Sequence, residues 1–189
     1  MPHSTHIESM QQETEPKVVQ QVDKKQLQCM ADNIYYEAGG EPTEGKAAVA
    51  RVVLNRIYHG FASTPCKVVY QTTIVKQTNE DDESFWVKMC QFSWVCEGKS
   101  NPNRNSSRYQ SSLQVAHDVL AYDKYKDVVP KTALFFHNTS VTNNYPHEVV
   151  AKIGNHVFYK KKSKNVNKRK NRYSKVTAKG RVQPEDVPG

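Results

Sequence analysis

Leu27, Met30, Ile34 and Ala38 recur at helical intervals, with Ala31 beside them, and Asp23 with Gln26 has capping-box spacing at the head of that run. The pattern predicts a helix from about Asp23 to the Gly39-Gly40 pair, where a left-handed terminating residue is expected. A second helix is predicted to start at Thr43, after Pro42, and to end near Gly60. On it Val49, Ala50, Val53 and Ile57 share one face, and Ala47, Ala48, Val52 and Leu54 widen it until the helix is apolar nearly all round. Such a helix belongs in the core.

Phe61 to Gln71 reads as a loop running into a short piece that is either extended or helical, and the acidic stretch Asn79 to Glu83 reads as a loop tip. Cys90-Gln-Phe-Ser-Trp-Val-Cys alternates polar and large side chains, which predicts a strand with Gln91 and Ser93 on one side and Phe92 and Trp94 on the other. After the turn-forming Asn101-Pro-Asn-Arg-Asn, the residues Tyr109, Leu113, Ala116 and Leu120 mark a third helix. Ala133 to His137 predicts a strand, Asn138 to Pro146 a loop, and Ile153 to Tyr159 a last strand with a turn. The fold class expected is α+β, mainly helical, with a small β region.

The ends differ from this body. Residues 1–22 are polar and without hydrophobic periodicity, which predicts a disordered lead-in, so the ordered domain is expected over 23–159. The formal net charge of +8 is not spread evenly: Met1 to Tyr159 carries 16 Lys and Arg against 17 Asp and Glu, whereas Lys160 to Arg181 carries 11 basic residues and no acid. Residues 160–189 are thus expected to be a disordered basic tail, able to contact anionic wall polymer, membrane or nucleic acid without specificity. The N-terminus has neither a basic n-region nor an apolar run, so a chain made in the cytoplasm without a Sec signal is expected. Cys29, Cys66, Cys90 and Cys96 fit no zinc spacing, and neither a metal nor a cofactor is expected. Buried thiols or a single bridge are the expected cysteine roles, with Cys66 paired to Cys90 or Cys96.

Among the carboxylates, Glu37 falls at the margin of the first helix's apolar stripe and in its last turn. Desolvation and the helix dipole both raise a carboxyl pKa there, so Glu37 could keep its proton near neutral pH. A protonated carboxyl at that pH is what cleavage of a glycosidic bond requires of its acid. An ordinary glutamate near a helix end is the competing reading from position alone.

Tyr35-Tyr-Glu-Ala-Gly-Gly-Glu-Pro42, then Glu44-Gly45, Ala47 to Ala50 and Val53-Leu-Asn-Arg56, resembles the opening of the SleB-type cell wall hydrolase family. The resemblance continues through Cys90 to Trp94, Cys96 and Gly98, then Ala116, Phe135 to Asn138, and Ile153 to Tyr159, in the family's order. It implies a lysozyme-like, lytic-transglycosylase-like catalytic domain acting on peptidoglycan between N-acetylmuramic acid and N-acetylglucosamine, with Glu37 as the single catalytic acid. Tyr35, Glu41, Gln91, Ser93, His137 and His156 are the candidates for contacts with substrate. Glu44 is expected to serve only the dipole of the second helix, and His117 to serve packing. Where many relatives have Pro and Trp after the His-Asn strand, this chain has Asn143-Asn-Tyr-Pro146. A monomer is expected, acting on the wall after phage-mediated lysis or as a virion component. Three rivals stand beside this reading: a hydrolytic muramidase on the same site, a cysteine-dependent wall amidase or endopeptidase, and a binding protein acting through the basic tail.

Overall fold

The computed structural model describes residues 21–141 and 145–163. Most of the lead-in, Asn143-Asn144 and the tail beyond Ser163 lie outside the described residues. Helix α1 spans Lys24–Ala38, capped by the Asp23 carboxylate, which accepts from the Gln26 N–H at 2.9 Å. Helix α2 follows at Thr43–Tyr58 and ends toward Gly60, whose φ of +77° suits a residue without a Cβ. Between them Gly39 is right-handed, at φ −61° and ψ −26°, not left-handed as expected. Its glycine answers a crowding problem: a Cβ there would meet the Arg108 side chain and the Tyr35 carbonyl.

A short helix α3, Pro65–Val69, is capped by Thr64 and resolves the ambiguous segment as helical. Strands β1 (Thr72–Thr78) and β2 (Ser84–Cys90) form an antiparallel hairpin with the acidic loop at its tip. Helix α4, Ser107–Tyr122, is capped by the Ser106 hydroxyl. Strands β3 (Phe135–Asn138), β4 (Glu148–Ile153) and β5 (His156–Lys160) make an antiparallel sheet in the order β3-β5-β4.

The apolar circumference of α2 is explained by what lies on its two sides. Ala47, Ala50 and Val53 pack with Met30 and Ile34 of α1, with Val68 and Val69 of α3 and with Ala116 and Val119 of α4. Ala48 and Val52 pack instead against Val129, Ala133 and Phe158 on the sheet side. Polar anchors fix the second contact: the Asn55 amide donates to the carbonyls of Pro130 and Ala133, and Arg56 Nε donates to the Leu134 carbonyl at 2.8 Å. The architecture is the mainly helical α+β one expected.

Two expectations fail for covalent reasons. The cysteines form two bridges, Cys29–Cys66 and Cys90–Cys96, not a pairing of Cys66 with Cys90 or Cys96. The start of α3 packs on α1, where Gln26 accepts from the Cys66 N–H at 3.0 Å, and this brings the Cys29 and Cys66 Cα atoms within 5.1 Å. The segment from Cys90 to Cys96 is not a strand. Six residues of extended chain would span about 20 Å, whereas the bridged Cα atoms lie 5.8 Å apart. The chain turns instead through a short 3-10 helix at Ser93–Val95.

Candidate active site

Glu37 sits half-buried in the last turn of α1. Burial pushes its pKa from 4.5 up to about 7, with Glu97 raising it further and Lys99 and Arg56 pulling it down. Desolvation prevails because the carboxylate has no close ion pair among the described residues to repay the loss of water. The group is therefore poised to hold or release a proton near neutrality.

Arg56, in the last turn of α2, was not anticipated. Its side chain is buried, and burial lowers its pKa to about 10 while Tyr145 and Glu37 oppose the shift, so it stays a cation. The guanidinium carbon lies 4.9 Å from the Phe92 ring centroid and 5.8 Å from that of Phe135. With the Gln91 amide oriented to present its oxygen, both terminal guanidinium nitrogens donate to it at 3.2 Å. A charged residue on a helix buried all round needs partners of this kind, and that was the available signal for it. Gln91 thus holds Arg56 in place near Glu37.

Next to Glu37 in the chain, the Tyr36 ring stacks on Trp94 at 4.5 Å, its hydroxyl donates to the Ser100 carbonyl, and Trp94 Nε1 donates to Asn33 in the core. Tyr35 packs edge-on to Tyr36 and against Tyr109, with the Arg108 guanidinium 4.9 Å from its ring centroid. Ser93 is exposed at the start of the 3-10 turn, and its hydrogen bond to the exposed Glu97, with help from Lys99, holds that carboxyl below its ordinary range. Glu97 also pairs with Lys99 at 2.9 Å. Gln91 and Ser93 are therefore not alternate residues of a strand.

The sheet supplies a third wall. His137 Nδ1 lies 2.8 Å from its neighbour's carbonyl, an acceptor only, so that nitrogen donates there, and Nε2 lies 2.7 Å from the Tyr159 hydroxyl. Tyr145 stands against the rings of Tyr159, His147 and His137, within electrostatic reach of Arg56. An aromatic thus stands in the stretch where this chain departs from the expected Pro and Trp.

His156 is buried. Desolvation lowers its pKa, while the Glu41 charge and the Glu37 carbonyl work the other way. Glu41 is buried as well, but its carboxylate is already occupied: Oε2 accepts from the Asn155 N–H at 3.1 Å and Oε1 from its amide at 2.9 Å. Burial raises the Glu41 pKa, and these hydrogen bonds with His156 and Lys46 outweigh it, so the net shift is downward. Gly154, at φ +55°, is the residue that lets this carboxylate approach, since a Cβ there would collide with Oε2. Glu41 ties the loop after α1 to the β4–β5 turn. Glu44 is exposed on the first turn of α2, and His117 packs edge-on to Tyr122.

The half-buried Glu37 carboxyl, with its pKa raised to about 7, thus has the buried Arg56 cation and the exposed Glu97 and Lys99 within electrostatic reach. The family model described as Cell Wall Hydrolase matches residues 40–159, and the chain belongs to that family. It is an enzyme that degrades cell wall peptidoglycan. The matched segment holds Arg56, Gln91, His137 and His156, and it begins three residues after Glu37. The chain is similar to the crystal structure of the catalytic domain of the Bacillus cereus SleB protein, at 22% identity over 78% of this chain and 99% of that one, with a TM-score of 0.47. It is also similar to the catalytic domain of the germination-specific lytic transglycosylase SleB from Bacillus anthracis, at 24% identity over 74% and 97%, with a TM-score of 0.49. No match was found among curated proteins.

Proposed function

We propose that Glu37 is the single acid and base of a lytic transglycosylase cutting between N-acetylmuramic acid and N-acetylglucosamine. The observation that carries this reading is the half-buried Glu37 carboxyl with its pKa near 7. Protonated, Glu37 gives its proton to the leaving glycosidic oxygen as the bond to muramic C1 breaks. The resulting carboxylate, steadied by the Arg56 charge, then removes a proton from the muramic 6-hydroxyl, whose oxygen bonds to C1 and closes a 1,6-anhydro ring. Water is not consumed, and Glu37 regains its proton. The substrate's own N-acetyl group can shield the developing charge, so a carboxylate nucleophile is dispensable.

Glu41 supports this single-acid scheme, because both of its oxygens are held by Asn155. A cysteine nucleophile is disfavoured, because all four cysteines are bridged. One observation favours a second reading. The ionised Glu97 lies within electrostatic reach of Glu37 and could activate water in a hydrolytic muramidase.

Mass spectrometry of muropeptides released from purified sacculi separates these readings. Wild type should release anhydromuramic ends, Glu37→Gln should release almost none, and Glu97→Gln should still make anhydro ends. Reducing ends that vanish in Glu97→Gln would establish the hydrolytic reading. Cut peptide stems with intact glycan would overturn both.

A further inference from the structure

The β1–β2 hairpin does not contribute a single fully buried side chain, and the reading above leaves it without a task. Its register places Lys76 opposite Trp86 and Ile74 opposite Lys88. Alternation along each strand then puts these four side chains on one face, between Thr72 and Cys90 at the root and Thr78 and Ser84 at the end. Trp86 is 70% exposed and Ile74 67%. Large apolar side chains standing this far into water mark a contact surface. The face carries two cations and no acid; all four hairpin carboxylates, Glu80 to Glu83, sit at the tip.

The face is continuous with the active site. Cys90 belongs to it and is bonded to Cys96. Glu97 and Lys99 follow at once, and both bear on the Glu37 carboxyl electrostatically. From Cys90 to Trp86 the strand covers about 13 Å.

We infer that this hairpin face is an extended binding surface for the peptidoglycan strand leaving the Glu37 cleft, with Trp86 stacking on a sugar ring and Lys76 and Lys88 pairing with the free carboxylates of the peptide stems. This assignment rests on the peptidoglycan reading above. Sugar rings offer C–H faces to an indole, and the stems are anionic, so an apolar ring between two ammonium groups matches both properties. Insertion into an anionic bilayer is the physical rival. The four-carboxylate tip opposes it, because it would have to enter the lipid first.

Co-sedimentation with purified sacculi stripped of attached wall polymers tests the assignment, using the full chain with Glu37→Gln so that the sacculi are not consumed. Adding Trp86→Ala should weaken apparent affinity about tenfold, and Trp86→Phe should restore most of it. Adding Lys76→Glu with Lys88→Glu should weaken binding about tenfold at low salt, the loss shrinking as salt rises. Hairpin variants that sediment like their parent, or a parent that does not sediment, would overturn the assignment. So would binding to phosphatidylglycerol vesicles that depends on Trp86 while sacculus binding does not. If wild type releases no muropeptides from the same sacculi, the peptidoglycan reading itself fails; if it releases them while the hairpin variants bind normally, only the hairpin assignment fails.

Discussion

Replacing Glu37 with Gln should make the protein more stable in alkaline solution and leave its stability unchanged in acid. In the folded chain this carboxyl titrates at about 7 against an ordinary 4.5. Between those values the folded state holds more protons than the unfolded one, so stability falls as pH rises through the window, and the full cost is present above about pH 7. At 1.36 kcal/mol per pKa unit the shift corresponds to about 3 kcal/mol. The carboxyl is only half-buried and its rim admits water, so about 2 kcal/mol is the expected effect. Glutamine cannot ionise and escapes the penalty. Urea unfolding of both proteins, with disulfides intact and ionic strength fixed, should give equal free energies near pH 4 and an advantage to Glu37→Gln that grows to about 2 kcal/mol by pH 8. A difference that stays flat with pH, or has the opposite sign, would refute the link between burial and the acid's readiness.

The two exposed charges beside the acid should tune it in opposite directions: Lys99→Met should move the alkaline limb of kcat/KM to higher pH and Glu97→Gln to lower pH, as pH-rate profiles on soluble glycan would record. Gly154→Ala should cost about 3 kcal/mol, from left-handed strain and the broken Glu41–Asn155 contact, measured as a lower urea midpoint. Serine pairs at the bridges should reverse order between assays. Replacing Cys29 and Cys66, 37 residues apart, should cost about 4 kcal/mol of stability, whereas replacing Cys90 and Cys96, 6 apart, should cost about 2 kcal/mol. Turnover should suffer more from the second pair, because that ring holds Gln91 against Arg56.

The helices were legible because their faces are long and their caps local: Asp23 and Thr43 mark starts that the fold respects. Strands β1, β2 and β4 were missed. The two hairpin strands bury no complete face and so lack the alternation that announces a strand, and β4 carries a register shift between Val149 and Ala151. Helical position alone left Glu37 as an ordinary glutamate near a helix end, the family-like block from Tyr35 to Pro42 singled it out, and its surroundings were not legible. The strand expected to carry Gln91 and Ser93 does not form, because a disulfide between residues six apart overrides the local pattern of alternation. Glu41 read as a candidate for contact with substrate, and only the return of the β4–β5 turn, 114 residues later in the chain, shows what occupies its oxygens. Arg56 lay in plain view beside Asn55, with partners drawn from segments that no local pattern connects to it.

Helix α2 is the shared wall of two apolar layers, and this decides how the molecule comes apart. Neither the helical layer nor the three-stranded sheet can open without stripping one side of α2, so amide protons on both should exchange with solvent in a single cooperative event. The β1–β2 hairpin, outside both layers, should exchange far faster and report a separate, shallow opening. The domain should therefore open as one cooperative body, with the hairpin as an arm that can lose its own hydrogen bonds and re-form them separately.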